Sequence, residues 1–100
     1  MPNKIETIPR SKEWLVYILK CGDGSYYTGI TNDLAKRLKA HTAGTASKYT
    51  RSRLPVKIVC RERQKNKSQA LRRELEIKIL SREQKMLMIK SLGKKKKPPA

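Results

Sequence analysis

The sequence predicts a small α/β domain of the α+β kind, a three-stranded antiparallel sheet packed with about three helices. Two runs rich in β-branched and aromatic residues, from Trp14 to Leu19 and from Tyr26 to Ile30, flank the turn cluster Cys21-Gly22-Asp23-Gly24-Ser25. That is the pattern of a β-hairpin. A third run, in which Val56, Ile58 and Cys60 alternate with Lys57, Val59 and Arg61, predicts a strand with one well-buried face. Around these runs, apolar residues recur at helical spacing behind side chains suited to capping.

Taken in order, residues 1–12 carry two prolines and no sustained period, so a flexible lead-in is expected before a folded domain over residues 13–92. The hairpin admits two registers. A turn made of Asp23-Gly24 alone sets Tyr17 and Tyr27 on opposite faces, whereas a loop running from Cys21 to Ser25 sets both on one face. Thr31, Asn32 and Asp33 then open a helix in which Leu34 and Leu38 recur, and Gly44 is free to take the left-handed conformation at its end. The next segment holds Lys48, Arg51 and Arg53 beside Tyr49. It suits either a contact tracking a nucleic-acid backbone, with one stacking platform, or an ordinary solvated loop.

Beyond the third strand a helix is predicted from about Ser68, with one apolar stripe at Leu71, Leu75 and Ile79 and a second at Ala70 and Ile77, together a broad buried face. Ser81 and Gln84 fit a capping box that restarts a third helix, to which Met86, Leu87, Ile89 and Leu92 supply apolar content. Gly93, then Lys94, Lys95, Lys96 and Lys97 and two prolines, predict a disordered basic tail over residues 93–100.

The charge balance narrows the partner. Against 25 Lys and Arg stand 8 Asp and Glu, a formal net charge of +17, an excess that resists compaction and whose usual counterpart is a polyanion. Nucleic acid is favoured over an anionic membrane surface. No stretch is apolar enough to span a bilayer and the N-terminus lacks a signal-peptide core. Two cysteines without CxxC spacing fit reduced thiols and no zinc site. A cytoplasmic protein is expected.

The chemistry-bearing residues fall in a fixed order. Leu15-Val16-Tyr17 is followed by Tyr27-Thr28-Gly29, then Arg37 eight residues after Gly29, then His41 one helical turn on, then Ala70-Leu71-Arg72-Arg73-Glu74. This set resembles the GIY-YIG nuclease family from about Trp14 to Ile89, and most of all its short stand-alone bacterial members. Similar domains occur in the incision subunit of bacterial nucleotide excision repair and in the eukaryotic branched-DNA resolvase. Leu15 replaces the glycine of the first motif and Thr28 occupies the middle of the second. Ile30 stands where many members carry a lysine, which shifts the handling of protons toward His41.

The resemblance implies a divalent-metal-dependent endonuclease acting on DNA, RNA being the alternative, with a structure-specific role in repair or recombination and a bacterial cytosol or nucleoid location. Tyr17, Tyr27, Arg37, His41 and Glu74 are the implied catalytic residues, and Gly29 and Asn32 belong to the structural motif. Glu74 would hold one Mg²⁺, or Mn²⁺, with several waters. Arg37 offers a planar fork of donors to non-bridging phosphate oxygens. One of Tyr17 and Tyr27, preferably Tyr27, would take the proton of the attacking water, which requires a phenol pKa well below the usual value near 10. His41 would relay that proton or orient the phosphate. Lys36, Lys48, Tyr49, Arg51, Arg53 and Lys94 to Lys97 are expected to contact nucleic acid. The chain is expected to be a monomer, with a protein partner supplying specificity as an option.

Singly, each residue also has an ordinary reading. Tyr17 fits a half-buried strand aromatic, His41 a cation at a helix C-terminus, Arg37 a partner for Asp33, and Glu74 a partner for Lys78. Glu74 nevertheless shares a stripe with Ala70 and Ile77, which turns it inward, where an unpaired carboxylate is costly without a cation. The rival function from a different class is a basic module on the same scaffold that binds nucleic acid without turnover.

Overall fold

A computed structural model of the chain describes residues 13–96, with side chains described through Ser91. The elements run β1 (Trp14–Lys20), β2 (Tyr26–Thr31), α1 (Leu34–Ala43), α2 (Lys48–Arg51), β3 (Lys57–Gln64), α3 (Lys67–Lys78) and α4 (Arg82–Lys96). The strands form one antiparallel sheet in the order β2-β1-β3. β1 is central, and its run from Val16 to Leu19 is buried on both faces. The lead-in expected over residues 1–12 and Lys97 lie outside the described residues.

Lys20 pairs with Tyr26 and Tyr17 with Gly29. The hairpin loop is therefore the longer one, from Cys21 to Ser25, and Tyr17, Gly29 and Tyr27 share one face. Val16 and Ile18 face the other side, where they form the apolar core with Cys60, Ala70 and Ile77, and Trp14, Tyr26, Ile30, Val59, Met88 and Ile89 pack around them. α3 and α4 thus cover the core face, while α1 and α2 lie over the tyrosine face through His41 and Thr50. Arg82 links the layers, donating from Nη1 to the Gly24 carbonyl at 2.6 Å.

Local signals are realised closely. Asp33 caps α1, accepting from the Lys36 amide at 3.1 Å, and Gly44 closes it at φ 82°. The capping box at α4 is reciprocal, Gln84 N–H to Ser81 Oγ at 3.1 Å and Ser81 N–H to Gln84 Oε1 at 2.9 Å. The segment expected as a basic loop carries the short α2 instead, capped by Ser47.

Three expectations are corrected. The strict alternation of Val56, Ile58 and Cys60 is broken, because a bulge lies opposite Ile18 and Leu19 and the partners there step from Cys60 to Ile58. Val59 consequently joins Cys60 against the core. The stripe Leu71, Leu75 and Ile79 faces outward, with Leu75 65% and Ile79 83% exposed, while Ala70 and Ile77 are fully buried. The small Ala70 allows close approach to the sheet, and the fork of Arg73 grips both oxygens of Glu62 on β3 at 2.8 and 3.1 Å; these contacts set the rotation of α3. Finally, α4 continues through Gly93 to Lys96, so a helix occupies the first part of the predicted disordered tail. Lysine is a good helix former, and one interior glycine costs only about 1 kcal/mol.

Candidate active site

The site is assembled over Gly29. Because Tyr17 pairs directly with Gly29, the Tyr17 ring lies across β2, and a Cβ at position 29 would come within 2.6 Å of Tyr17 Oη. Only a residue without a side chain leaves that space. From there Tyr17 Oη shares a hydrogen bond with His41 Nε2 at 2.9 Å, and His41 Nδ1 one with Thr50 Oγ1 at 2.9 Å. The three residues are 2%, 1% and 0% exposed. Three elements, β1, α1 and α2, thereby meet in one buried polar line.

Tyr27 joins from the hairpin, half-buried, its ring centroid 5.2 Å from that of His41 in an edge arrangement. It also stacks on Tyr49 at 5.9 Å. The Arg53 guanidinium lies 3.8 Å from the centre of the Tyr49 ring and donates from Nε to Asp23 Oδ2 at 3.0 Å. Tyr49 and Arg53, expected to meet nucleic acid, are thus engaged with each other and with the hairpin loop. Lys36, Lys48 and Arg51 are exposed. Lys94, Lys95 and Lys96 lie on α4, and Asn32 sits half-buried in the bend before α1.

Arg37 is exposed one turn before His41, and among the described residues it has no ion-pair partner. Asp33 is occupied in capping. Glu74 satisfies both of its sequence readings: its side chain is only 16% exposed, and Oε2 meets Lys78 Nζ at 3.2 Å. The charges of both Arg37 and Glu74 reach the Tyr17 phenol. Burial pushes that phenol far above its ordinary value, the Tyr27 and Glu74 charges add to the rise, and Arg37 opposes it. This is opposite to the lowered pKa that a phenolate base needs, so the greater acidity expected of a catalytic tyrosine is not found at Tyr17. Burial, and secondarily Arg37, holds the His41 imidazolium below its ordinary range, so the ring is neutral near pH 7, not the helix-terminal cation of the alternative reading.

Among the described residues no cluster of three or more His, Cys, Asp or Glu is poised to enclose a metal. A hard ion such as Mg²⁺ that keeps most of its waters needs only one or two carboxylates. Glu62 and Glu76 are held by Arg73, and Asp23 by Arg53 and Ser25. Glu74, bound by one flexible lysine and electrostatically coupled to Tyr17, fits that role. Thr50 is the buried member of the polar line that sequence reasoning missed. The available signal is the spacing of Ser47 and Thr50, in which Ser47 Oγ accepts from the Thr50 amide at 3.3 Å, the start of a capped turn rather than a loop.

Comparison with known proteins bears on the family and the fold. The sequence model of the GIY-YIG catalytic domain matches residues 13–87. A UPF0213 protein of Clostridium perfringens is 57% identical over 76 residues, covering 76% of this chain and 82% of the relative. A UPF0213 protein of Staphylococcus haemolyticus is 51% identical over 74 residues, covering 74% and 90%. The solution NMR structure of a UPF0213 protein from Bacillus halodurans superposes with a TM-score of 0.52 at 44% identity, covering 78% of this chain and 83% of that one.

Proposed function

The chain belongs to the GIY-YIG family, which implies a nuclease-type function, and on that premise we propose that it is a divalent-metal-dependent endonuclease hydrolysing phosphodiester bonds in branched, nicked or flapped DNA. Such substrates would tie it to repair or recombination. The observation that supports this reading most is the buried Tyr17–His41 hydrogen bond, whose phenol feels the charges of Arg37 and Glu74 from two separate helices.

In this reading Glu74 holds Mg²⁺ or Mn²⁺, which when bound neutralises charge on the phosphate and the leaving oxygen. The exposed Arg37 fork takes the non-bridging oxygens and stabilises the charge that develops there. Tyr27, the less buried of the two, faces the attacking water and acts as the phenolate, taking the water's proton to become the neutral phenol as the hydroxide attacks phosphorus. Tyr17 stays protonated, because its burial opposes the phenolate, and with neutral His41 it forms the wall against which the Tyr27 ring packs. Lys36, Lys48, Arg51 and the lysines at the end of α4 meet flanking phosphates. If about five phosphates are neutralised, log affinity should fall with log salt at a slope of roughly −4 to −5 on duplex DNA.

The test is cleavage and binding on labelled branched, nicked and duplex DNAs over a Mg²⁺ series at fixed salt, comparing wild type with Arg37→Ala and Glu74→Gln. Both variants are expected to lose cleavage by at least about 10²-fold. Glu74→Gln should keep its DNA affinity, since removing a negative charge does not weaken attraction to a polyanion. Equal cleavage by wild type and Glu74→Gln rejects Glu74 as the metal-holding residue. Binding without cleavage by any of the proteins would favour the non-catalytic module.

A further inference from the structure

We propose that Thr50 is a positioning residue that holds His41 in the Nδ1–H tautomer, leaving Nε2 as the lone-pair acceptor for the Tyr17 hydroxyl. The tautomer follows from counting protons along the buried line. Thr50 Oγ1 lies 3.3 Å from the Ser47 carbonyl oxygen, to which it donates, and 2.9 Å from His41 Nδ1. A hydroxyl has one proton. With that proton on the Ser47 carbonyl, Thr50 accepts from Nδ1–H, Nε2 is unprotonated, and Tyr17 donates to it across 2.9 Å. Every proton then has an acceptor.

The opposite assignment leaves a proton stranded. If Thr50 donates to Nδ1, then Nε2–H donates to Tyr17 Oη and the phenolic proton needs another acceptor. Among the described residues His41 is the hydrogen-bond partner of that hydroxyl, which lies over Gly29 in a residue only 2% exposed. A buried donor without a partner is the costly arrangement. The state of one ring nitrogen is set by the bond the other makes, and here that bond is made by α2, the element whose cap, Ser47, also supplies the carbonyl that orients Thr50.

Two bonds at opposite nitrogens fix both the chemistry and the plane of the ring. Tyr27 packs its ring against that plane at 5.2 Å and 65°, so Thr50 orients the outer phenol through His41 without touching it. This catalytic consequence rests on the nuclease reading above, whereas the tautomer itself does not.

The chain contains a single histidine, which makes the tautomer directly readable. Long-range ¹H–¹⁵N correlation spectra of the full-length protein at pH 7.5 should show Nδ1 protonated and Nε2 unprotonated. Thr50→Ser should keep that pattern, and Thr50→Val should move the ring toward the Nε2–H form. Tyr17→Phe should leave Nδ1–H in place, since Thr50, its own proton held by the Ser47 carbonyl, still accepts from Nδ1 when the phenol is gone. An Nε2–H ring in wild type overturns the proposal, as does an unchanged tautomer in folded Thr50→Val. Where Thr50→Val does not fold, the wild-type and Tyr17→Phe spectra still decide it. On a cleaved substrate, Thr50→Val should lower kcat at least tenfold with KM changed less than about twofold, and Thr50→Ser should restore most of the rate. A changed tautomer with unchanged kcat overturns the catalytic half. Spectra as expected with no cleavage by any protein support the positioning role and reject the nuclease reading instead.

Discussion

On one face of the sheet Val16, Ile18 and Cys60 meet Ala70 and Ile77 through apolar contact; on the other, Tyr17, His41 and Thr50 are as deeply buried but are joined end to end by hydrogen bonds. Apolar contacts are non-directional, so the first face gains stability roughly in proportion to the area it removes from water. Hydrogen bonds are directional, so the second gains orientation and adds little net stability. The same central strand serves both, because its alternate side chains point to opposite faces. Stability and site geometry should therefore be separable by substitution within one strand or helix.

The strongest attempt to break this contrast is Ile77→Ala. Removing a fully buried aliphatic side chain from the apolar face should cost about 2–5 kcal/mol in urea unfolding, while cleavage per folded molecule stays near wild type. An equal loss of specific activity would show that the two faces are not independent.

Gly29→Ala tests the polar face. Its new methyl would displace the Tyr17 hydroxyl from above β2 and stretch the bond to His41. We expect about 1–3 kcal/mol of destabilisation and, unlike Ile77→Ala, a loss of specific activity far larger than the stability change explains. Wild-type cleavage in Gly29→Ala would mean the glycine is not required by the phenol.

A pH series sharpens the contrast without mutation. His41 is held below its ordinary value by burial first and by Arg37 second. Above about pH 6.5, the ordinary value, the ring is neutral in both folded and unfolded chains and its contribution to stability is fully present. As pH falls below that, the unfolded chain binds the proton first, so stability declines toward the folded value, with a slope no steeper than about 1.4 kcal/mol per pH unit. With one histidine in the chain, His41→Phe should flatten unfolding free energies between pH 7 and 5.5. A decline of equal slope in that variant would assign the effect elsewhere.

Thr28 carries a polar atom onto the apolar face. It is buried, and its Oγ1 has no hydrogen-bond partner among the described residues. Thr28→Val removes the unsatisfied hydroxyl at nearly constant shape and should raise stability by about 1 kcal/mol with cleavage unchanged. A loss of stability would show that the hydroxyl is satisfied in solution. The smallest effect is expected at Leu75→Gln on the outward stripe of α3, within about 0.5 kcal/mol by thermal melting; a cost above 2 kcal/mol would return Leu75 to the core.

The features legible before folding are mostly those that a few consecutive residues decide among themselves. The Asp33 cap, the Gly44 terminus and the Ser81–Gln84 box are hydrogen bonds within one turn, and the residue types announce them. The family was legible for a related reason: Tyr17, Tyr27, Gly29, Arg37, His41 and Glu74 form an ordered set whose joint spacing is specific even though each member has an ordinary alternative. Tertiary structure decided the rest. α3 carries two apolar stripes one residue apart, and periodicity cannot rank them; the close approach at Ala70 and the Arg73–Glu62 ion pair do. The bulge in β3 depends on its pairing with β1. Tyr17 loses acidity because His41, Gly29 and the neighbouring layers exclude water from it, and Thr50 enters the site because a turn of α2 is folded against α1. Burial and hydrogen-bond partnership across elements belong to pairs of distant residues, and no local pattern encodes either.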